Sequence, residues 1–337
     1  MALQPLDGFP SITTRHCISG SLLRIYLHHG YPVSEEMLLG LGAGVGFIYW
    51  RTKRMPPLVG GRANARGEFE VLVGERTGVR VQSYATSSAA KAEWTMLELL
   101  VAGEPVMMLA DMGFLPYLDF GGADYHFGAH GIVVCGYDAE AGQVLVADRD
   151  GLHPVPLEDL TRARGSTYQP FPPHNLWYTF DFSGQRPIAP EEVRLAIAEQ
   201  VKGMLEPPIR IFGVPAIRKA AMEVPHWPEM LDADTLRATL FNSYAFIDAR
   251  GGTGGGLFRY MFSRFLREAG ELTGAAGLAE VAADFQHIGD RWQEVGGTFK
   301  RASVAKDPLP LLAGLGTPLL ELADLEEAAW GRLGELV

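Results

Sequence analysis

Three residues that lie far apart in the sequence have the types that nucleophilic catalysis by a thiol requires. Cys17 is near the start of the chain, His130 begins the apolar stretch 130–137, and Asp148 ends the apolar stretch 144–148. The thiolate is the reactive form of cysteine, a histidine can take the thiol proton, and a carboxylate can fix the tautomer of that histidine. The order cysteine, histidine, aspartate therefore predicts a Cys-His-Asp catalytic triad.

The residues around Cys17 favour a reactive thiol. Ser19 and Ser21 are of a type that caps helices, and an apolar run begins at Leu22, so we expect a helix to start beside the cysteine. The positive end of a helix dipole stabilises a thiolate and lowers the thiol pKa. His16 can also tune the thiol, although a structural role in the turn before Cys17 is the simpler interpretation.

His130 and Asp148 are expected on neighbouring antiparallel strands. A turn centred near residue 139 would place them directly opposite each other, and opposite residues point to the same face of a sheet. A register shift of two residues preserves that face, whereas a bulge can change it. Asp150 is the alternative carboxylate. Cys135 has the opposite parity to His130 and is expected to be a small buried apolar residue.

Simpler interpretations of these residues remain open. Cys17 alone could be a buried, inert thiol, and His130 alone could be a core histidine. His126 and His130 are four residues apart, as in some metal sites, but no third ligand is evident. The ordered triple favours catalysis without a metal, and we expect no cofactor.

The composition fits a soluble protein with two domains. The chain has 337 residues, of which 47% are hydrophobic and 20% charged. Its net charge of −11 argues against a nucleic-acid-binding protein, and it contains no apolar run of the ~20 residues that span a membrane. Two cysteines do not form a disulfide framework and no signal peptide is evident, so we expect a cytoplasmic location.

The pattern of helices and strands changes along the chain. Strand and helix patterns alternate as far as residue 180, whereas the residues after Pro190 have helical periodicity. We therefore expect an α+β catalytic domain with an antiparallel sheet at residues 1–185 and an all-helical domain at residues 191–337. The proline-containing segment 185–190 is the predicted linker.

A glycine-rich segment precedes the predicted helix 257–269. Arg250, Gly251, Gly254 and Gly255 belong to it, and Arg259 lies in the first turn of the helix. Glycine amides at a helix N-terminus can bind an anion, so these residues could hold an anionic part of a substrate beside the thiol. A packed loop between helices is the alternative interpretation.

The segment 111–128 is a long loop rich in glycine and aromatic residues. Loops of this length inside a compact domain are often binding loops or lids. Tyr125 is our candidate for substrate binding, and Tyr117, Phe120 and Phe127 lie in the same loop. These side chains could line a pocket for an apolar or ring-containing group, or they could belong to the core.

The sequence resembles one known family in both halves of the chain. The similar residues are Arg15-His16-Cys17 with the Ser34–Met37 segment, and Arg250–Gly255 with Phe258-Arg259. They resemble the butirosin biosynthesis protein H family, over roughly residues 12–300. The resemblance implies a papain-like, cysteine-peptidase-type N-terminal domain followed by a helical domain.

The resemblance also implies an activity. It points to an acyltransferase of specialised-metabolite or antibiotic biosynthesis, which moves an aminoacyl group from a carrier-protein thioester to a small-molecule amine. Cys17 would take the acyl group, His130 would act as base and then acid, and Asp148 would orient His130. Phosphopantetheine would enter only as part of the carrier-bound substrate.

An acyl carrier protein is typically acidic around its phosphopantetheine serine, and the chain has a basic segment that could bind one. Residues 51–66 contain no acidic residue. We assign carrier docking to three of their cations, called here the basic triplet: Arg51, Lys53 and Arg54. A solvated basic loop is the alternative interpretation.

The sequence differs from papain-like peptidases in its oxyanion hole. Those enzymes carry a glutamine a few residues before the cysteine, and here residues 11–16 contain none. The backbone N–H of Cys17 with a hydroxyl from Thr13 or Thr14 is the substitute, with His16 as a further candidate. This difference weakens the interpretation as a peptidase more than the interpretation as an acyltransferase. Cleavage of an amide needs stronger stabilisation of its transition state than attack on an activated thioester.

Two other functions stay open. One is a peptidase or thioesterase that uses the same triad, and the other is a non-catalytic binding protein with a degenerate peptidase fold. A homo-oligomer is also possible.

Overall fold

The structure is a computed structural model, which describes residues 3–52, 55–62 and 68–337. The strands within these residues are β1 (Ile48–Thr52), β2 (Met55–Gly60), β3 (Arg80–Tyr84), β4 (Val106–Ala110), β5 (His130–Asp138), β6 (Gln143–Asp148), β7 (Gly151–Pro156) and β8 (Trp177–Asp181). The α-helices are α1 (Cys17–His28), α2 (Glu35–Leu41), α3 (Phe69–Thr77), α4 (Ala89–Val101), α5 (Leu157–Gly165), α6 (Pro190–Leu205), α7 (Gly213–Glu223), α8 (Trp227–Met230), α9 (Ala233–Ile247), α10 (Arg259–Thr273), α11 (Gly277–Val304), α12 (Leu309–Ala313) and α13 (Gly316–Gly334).

The chain forms two compact units, and each is built from two separate segments. The first unit comprises Met1–Glu35 and Gly78–Arg186, and the second comprises Glu36–Thr77 and Pro187–Val337. The division after Arg186 falls within the linker expected at residues 185–190. The first unit differs from the expected domain 1–185 because residues 36–77 belong to the second unit.

An antiparallel sheet with the strand order β3-β8-β4-β5-β6-β7 forms the centre of the first unit. Apolar side chains of β4, β5 and β6 pack with α4 and α5 in a buried core, because alternate residues of these strands share a face. The N-terminus of α1 lies against β5 at Gly131, where a Cβ atom would come within 2.5 Å of the Ile18 side chain. A Cβ at position 131 would therefore require the end of the Ile18 side chain to move, and it would lie 3.4 Å from the Cys17 carbonyl oxygen.

The β5–β6 register differs from the one expected by two residues. Val133 pairs with Ala147, so Asp148 is not directly opposite His130. The turn is centred later than residue 139, because the Asp138 carboxylate accepts from the backbone N–H groups of residues 140 and 141, both at 3.0 Å. A bulge between Val134 and Gly136 adds a further irregularity. A shift of two still keeps His130 and Asp148 on one face, as parity requires.

The elements of the second unit that follow Pro187 are helices, as expected for residues 191–337, and its β1–β2 hairpin belongs to the segment 36–77. The interior of this unit holds a charged cluster, in which Arg259 pairs with Glu326 at 2.7 Å and both side chains are fully buried. The indole N–H groups of Trp292 and Trp330 also donate to the Glu326 carboxylate, at 2.8 and 2.7 Å. These bonds give hydrogen-bond partners to a carboxylate that would be costly to bury without them.

Segment 36–77 joins the second unit through specific contacts. The Phe265 ring occupies the space beside Gly40, where a Cβ would lie 2.2 Å from it. Arg76 of α3 is buried and pairs with Glu199 of α6 at 2.5 Å.

Among the described residues, no helix has both the length and the apolar composition needed to cross a lipid bilayer.

Candidate active site

Cys17 is the first residue of α1, as the sequence predicted. The preceding residue, His16, has an extended backbone and is the N-cap, and its imidazole accepts from the backbone N–H of Ser19. A histidine here replaces the usual Ser, Thr, Asp or Asn cap. Cys17 as a whole residue is half-buried, and it lies in the first turn of α1, at the positive end of the helix dipole.

The structure brings the three predicted triad residues together. His130 Nε2 lies 2.7 Å from Asp148 Oδ2, and both side chains are buried. The thiol of Cys17 hydrogen-bonds to the imidazole of His130. Because Nε2 is held by the carboxylate, Nδ1 is the ring nitrogen left for the sulfur. This is the geometry of a nucleophile, a base and an orienting group.

The Asp148 carboxylate has further donors. The backbone N–H of Arg149 donates to Oδ1 at 2.7 Å, and the phenol of Tyr117 donates to Oδ2 at 3.0 Å. Burial alone would raise the pKa of Asp148, but His130 and these hydrogen bonds hold it well below its usual range. Asp150 instead pairs with His153 at 2.8 Å, so it does not orient His130.

The electrostatics of the site favour a thiolate–imidazolium pair. Burial acts to raise the pKa of the Cys17 thiol, but the imidazoles of His16 and His130 together hold that pKa well below its ordinary value. Burial acts to lower the pKa of His130, but Asp148 and the thiol outweigh it and raise the pKa to about 10. The two groups therefore stabilise each other's charged form at neutral pH.

Cys135 is chemically distinct from Cys17. Its side chain is fully buried at the β5 bulge, and burial raises its pKa to about 12. Its Sγ donates to the Leu145 carbonyl at 3.5 Å. The neutral, buried state fits the small apolar residue expected from its parity.

The threonines assigned to the oxyanion hole are in different environments. Thr13 is exposed, whereas Thr14 Oγ1 accepts from Arg24 Nη1 at 3.2 Å. Thr14 also packs against Gly20, where a Cβ would lie 2.2 Å from its hydroxyl oxygen. The hydroxyl of Thr14 is therefore held by α1, and the glycine is required for that close approach.

Sequence reasoning missed two buried charged residues that support the site, Arg24 and Glu35. The Arg24 guanidinium donates to the carbonyls of Ile12 and Asp148, so it joins the loop before α1 to the end of β6. A single arginine within the apolar run of α1 was the available signal. Glu35 accepts from the backbone N–H groups of Arg15 and His16, both at 2.8 Å; no sequence spacing pointed to it.

The 111–128 loop is anchored by Asp111, a fully buried carboxylate. Asp111 accepts from the N–H of Phe127 at 3.1 Å and pairs with His126 at 2.8 Å. His126 and His130 are therefore held by different carboxylates, and within residues 3–52, 55–62 and 68–337 no group of three or more potential ligands could hold a metal ion. Tyr125 lies beside Phe120, with ring centroids 4.6 Å apart, and burial raises its pKa.

The other predicted binding residues belong to the second unit. The amides of Gly251, Gly255 and Gly256 already donate to protein oxygens, and the Arg259 side chain is fully buried with Glu326. The segment thus has the arrangement of a packed loop between helices. Arg250 and Gly251 are exposed and Gly254 is half-buried. Of the basic triplet, Arg51 is exposed and pairs with Glu223 at 3.2 Å, whereas residues 53 and 54 lie outside the described residues.

The first unit is thus an α+β domain with a cysteine–histidine–aspartate site. Comparison with family models agrees with the family resemblance of the sequence. A family model described as butirosin biosynthesis protein H, N-terminal, matches residues 16–149, and one described as a domain of unknown function, DUF4872, matches residues 158–333. The second match covers more than half of the chain. The chain therefore belongs to the DUF4872 family, and the match at residues 16–149 confirms the predicted resemblance to the butirosin biosynthesis protein H family. No curated protein sequence matched the chain.

Proposed function

We propose that the protein is a cysteine acyltransferase of specialised-metabolite biosynthesis. In this proposal the first unit is a papain-like domain, which transfers an acyl or aminoacyl group from a carrier-protein thioester to an amine. The observation that carries the proposal is the Cys17–His130–Asp148 cluster in a chain of this family. Its helix-borne thiol next to a sheet-borne imidazole supports the papain-like assignment.

The first half-reaction forms an acyl-enzyme. The Cys17 thiolate attacks the thioester carbonyl, and the carbon–sulfur bond to the pantetheine breaks. The His130 imidazolium gives its proton to the departing thiolate, so a free thiol leaves and His130 becomes neutral. The backbone N–H of Cys17 is the donor we assign to the carbonyl oxygen as it becomes negative.

The second half-reaction forms the amide. The amine attacks the acyl-enzyme carbonyl, neutral His130 takes the proton that the amine loses, and the Cys17 thiolate leaves. The resting thiolate–imidazolium pair is restored, so protons balance over the cycle. Asp148 does not change its protonation state, because its pKa lies well below neutrality; it holds the His130 ring in one orientation.

The proposal is tested by intact-mass measurement with short acyl-pantetheine thioesters as donors. We expect one acyl adduct per chain, which is absent from Cys17→Ala and present in Cys135→Ala. Adding amines to the isolated adduct should release an amide faster than water releases the acid. Release of acid alone would assign a hydrolase instead. A lack of any adduct would contradict both enzymatic functions and favour a non-catalytic binding protein.

A further inference from the structure

A second imidazole, that of His16, lies beside the nucleophile and has its own hydrogen-bond partners. His16 is buried and its Nδ1 faces Ser19, at 3.1 Å from the hydroxyl oxygen and 3.3 Å from the backbone nitrogen. Because Nδ1 accepts from the Ser19 backbone N–H, the proton of the neutral ring is on Nε2. The side chain of His16 also forms a hydrogen bond with Cys17.

Glu35 fixes the parts that position this imidazole. One of its carboxylate oxygens accepts from the Ser19 hydroxyl at 2.9 Å and from the His16 backbone N–H at 2.8 Å. The other accepts from the Arg15 backbone N–H at 2.8 Å. The carboxylate is buried, so it fixes the backbone on which the imidazole is mounted and the hydroxyl that faces its ring.

Ser19 can satisfy His16 in both of its protonation states. When the imidazole is neutral, Nδ1 accepts from the Ser19 backbone N–H, and the ring proton is on Nε2. When the imidazole is charged, Nδ1–H can donate to the Ser19 oxygen, whose own proton points to Glu35. In either state Nε2 keeps a proton that it can donate to the sulfur.

We propose that His16 is a second catalytic histidine, which donates a hydrogen bond to the Cys17 sulfur while Ser19 and Glu35 act as its positioning residues. The inference rests on the proposed function, since it concerns the same acyl-transfer site. The thiolate is then flanked by two imidazoles, one backed directly by Asp148 and the other by Glu35 through Ser19. The added donor stabilises negative charge on sulfur, both at rest and when sulfur leaves the acyl-enzyme.

The titratable and charged groups of the site come from the cap of α1 and four elements. His16 caps α1, Arg24 lies in the middle of α1, Glu35 begins α2, His130 begins β5 and Asp148 ends β6. Arg24 donates to the Asp148 carbonyl, and the Asp148 carboxylate faces His130. The two imidazoles are therefore the groups that face the thiol itself.

The test measures the thiolate pKa of Cys17 from its rate of alkylation by iodoacetamide against pH, in a Cys135→Ala background. His16→Ala should raise the thiolate pKa by about one unit, which means about tenfold slower alkylation at pH values below that pKa. Glu35→Gln should raise it by less. The matched control is His29→Ala, at the other end of α1, where the imidazole pairs with Glu104 at 3.2 Å; it should leave the pKa unchanged.

A second variant covers the case in which His16→Ala does not fold. His16→Gln keeps an N–H donor without the positive charge, so its thiolate pKa should lie between those of the wild type and His16→Ala. An unchanged pKa in the folded His16 variants would overturn the inference. The alkylation assay contains no acyl donor, so it tests the role of His16 separately from acyl transfer. If the acyl-transfer proposal alone were wrong, the pKa shifts would still be seen but no acyl adduct would form.

Discussion

Asp148→Asn isolates the contribution of one buried charge to the reactive thiol. Asparagine keeps an oxygen that can accept from His130 Nε2, at the position where the carboxylate oxygen now lies 2.7 Å away. It removes the negative charge that raises the pKa of His130. The variant should therefore keep the acceptor for His130, lose the acceptor for the Arg149 backbone N–H, and lose most of the electrostatic stabilisation of the imidazolium.

The magnitude follows from the separation of the charges. At an effective dielectric constant of about 20, unit charges with centres about 4 Å apart interact by about 4 kcal/mol, which equals about three pKa units. A fall of that size would bring the pKa of His130 from about 10 to near neutrality. The thiolate would then lose its cationic partner, and the Cys17 pKa should rise towards its ordinary value of ~8.5.

The assay is the pH dependence of iodoacetamide alkylation, with Cys135→Ala as background. Below pH 7 the Asp148→Asn protein should react at least about tenfold more slowly than the wild type, because its thiol is mostly protonated there. Asp150→Asn is the matched control, since that carboxylate pairs with His153 instead. Profiles that superimpose for Asp148→Asn and the wild type would refute the charge-based account of the thiolate.

Further outcomes are expected for other parts of the protein. Tyr117→Phe removes the 3.0 Å bond to Asp148 but keeps the ring, and should lower kcat by about three- to tenfold with little change in KM, as steady-state kinetics would show; an unchanged kcat would mean that the phenol does not support the triad. Gly20→Ala places a Cβ 2.2 Å from the hydroxyl oxygen of Thr14 and should lower the free energy of unfolding by about 1–3 kcal/mol, as urea denaturation would show. Adding Thr14→Ser, which keeps this hydroxyl, should not restore that free energy. Reversing the charges of the basic triplet should raise KM for a carrier-bound donor and leave KM for a free pantetheine thioester unchanged; equal KM values for the carrier would rule out the docking role. The pKa of Asp148 is lower in the folded than in the unfolded protein, so its charge stabilises the fold above the unfolded pKa of ~3.9 and ceases to do so as the pH falls towards the folded pKa. The difference in Tm between wild type and Asp148→Asn should therefore shrink as the pH falls below ~3.9.

The triad could be predicted from the sequence because each member has a strong local signal. Cys17 precedes an apolar run behind small polar residues, and His130 and Asp148 bound two stretches of strand composition. The register could not be predicted, because it depends on how the Asp138 carboxylate closes the turn and on a bulge. Parity compensated for that error, since a shift of two leaves both side chains on one face.

Local sequence patterns could not predict the residues that support the site or the boundaries of the two units. Glu35 lies in the Ser34–Met37 segment of the family resemblance, but no local pattern indicated its role, which depends on where the loop before α1 lies. Segment 36–77 joins the second unit through pairs such as Arg76 with Glu199, which are separated by 123 residues. Periodicity and composition describe how a segment folds locally, but they do not state which distant residues cover its apolar side.

The alternation of segments between the two units affects how the protein can be made. The chain passes from the first unit to the second after Glu35, returns after Thr77, and passes again after Arg186. During synthesis on the ribosome, residues 36–77 emerge long before the helices beyond Pro187 that cover them. The apolar side chains of this segment therefore stay uncovered until the rest of the chain has been made. A fragment ending at residue 185 would carry this segment without the helices that cover it, so the first unit cannot be obtained by truncating the chain at one point.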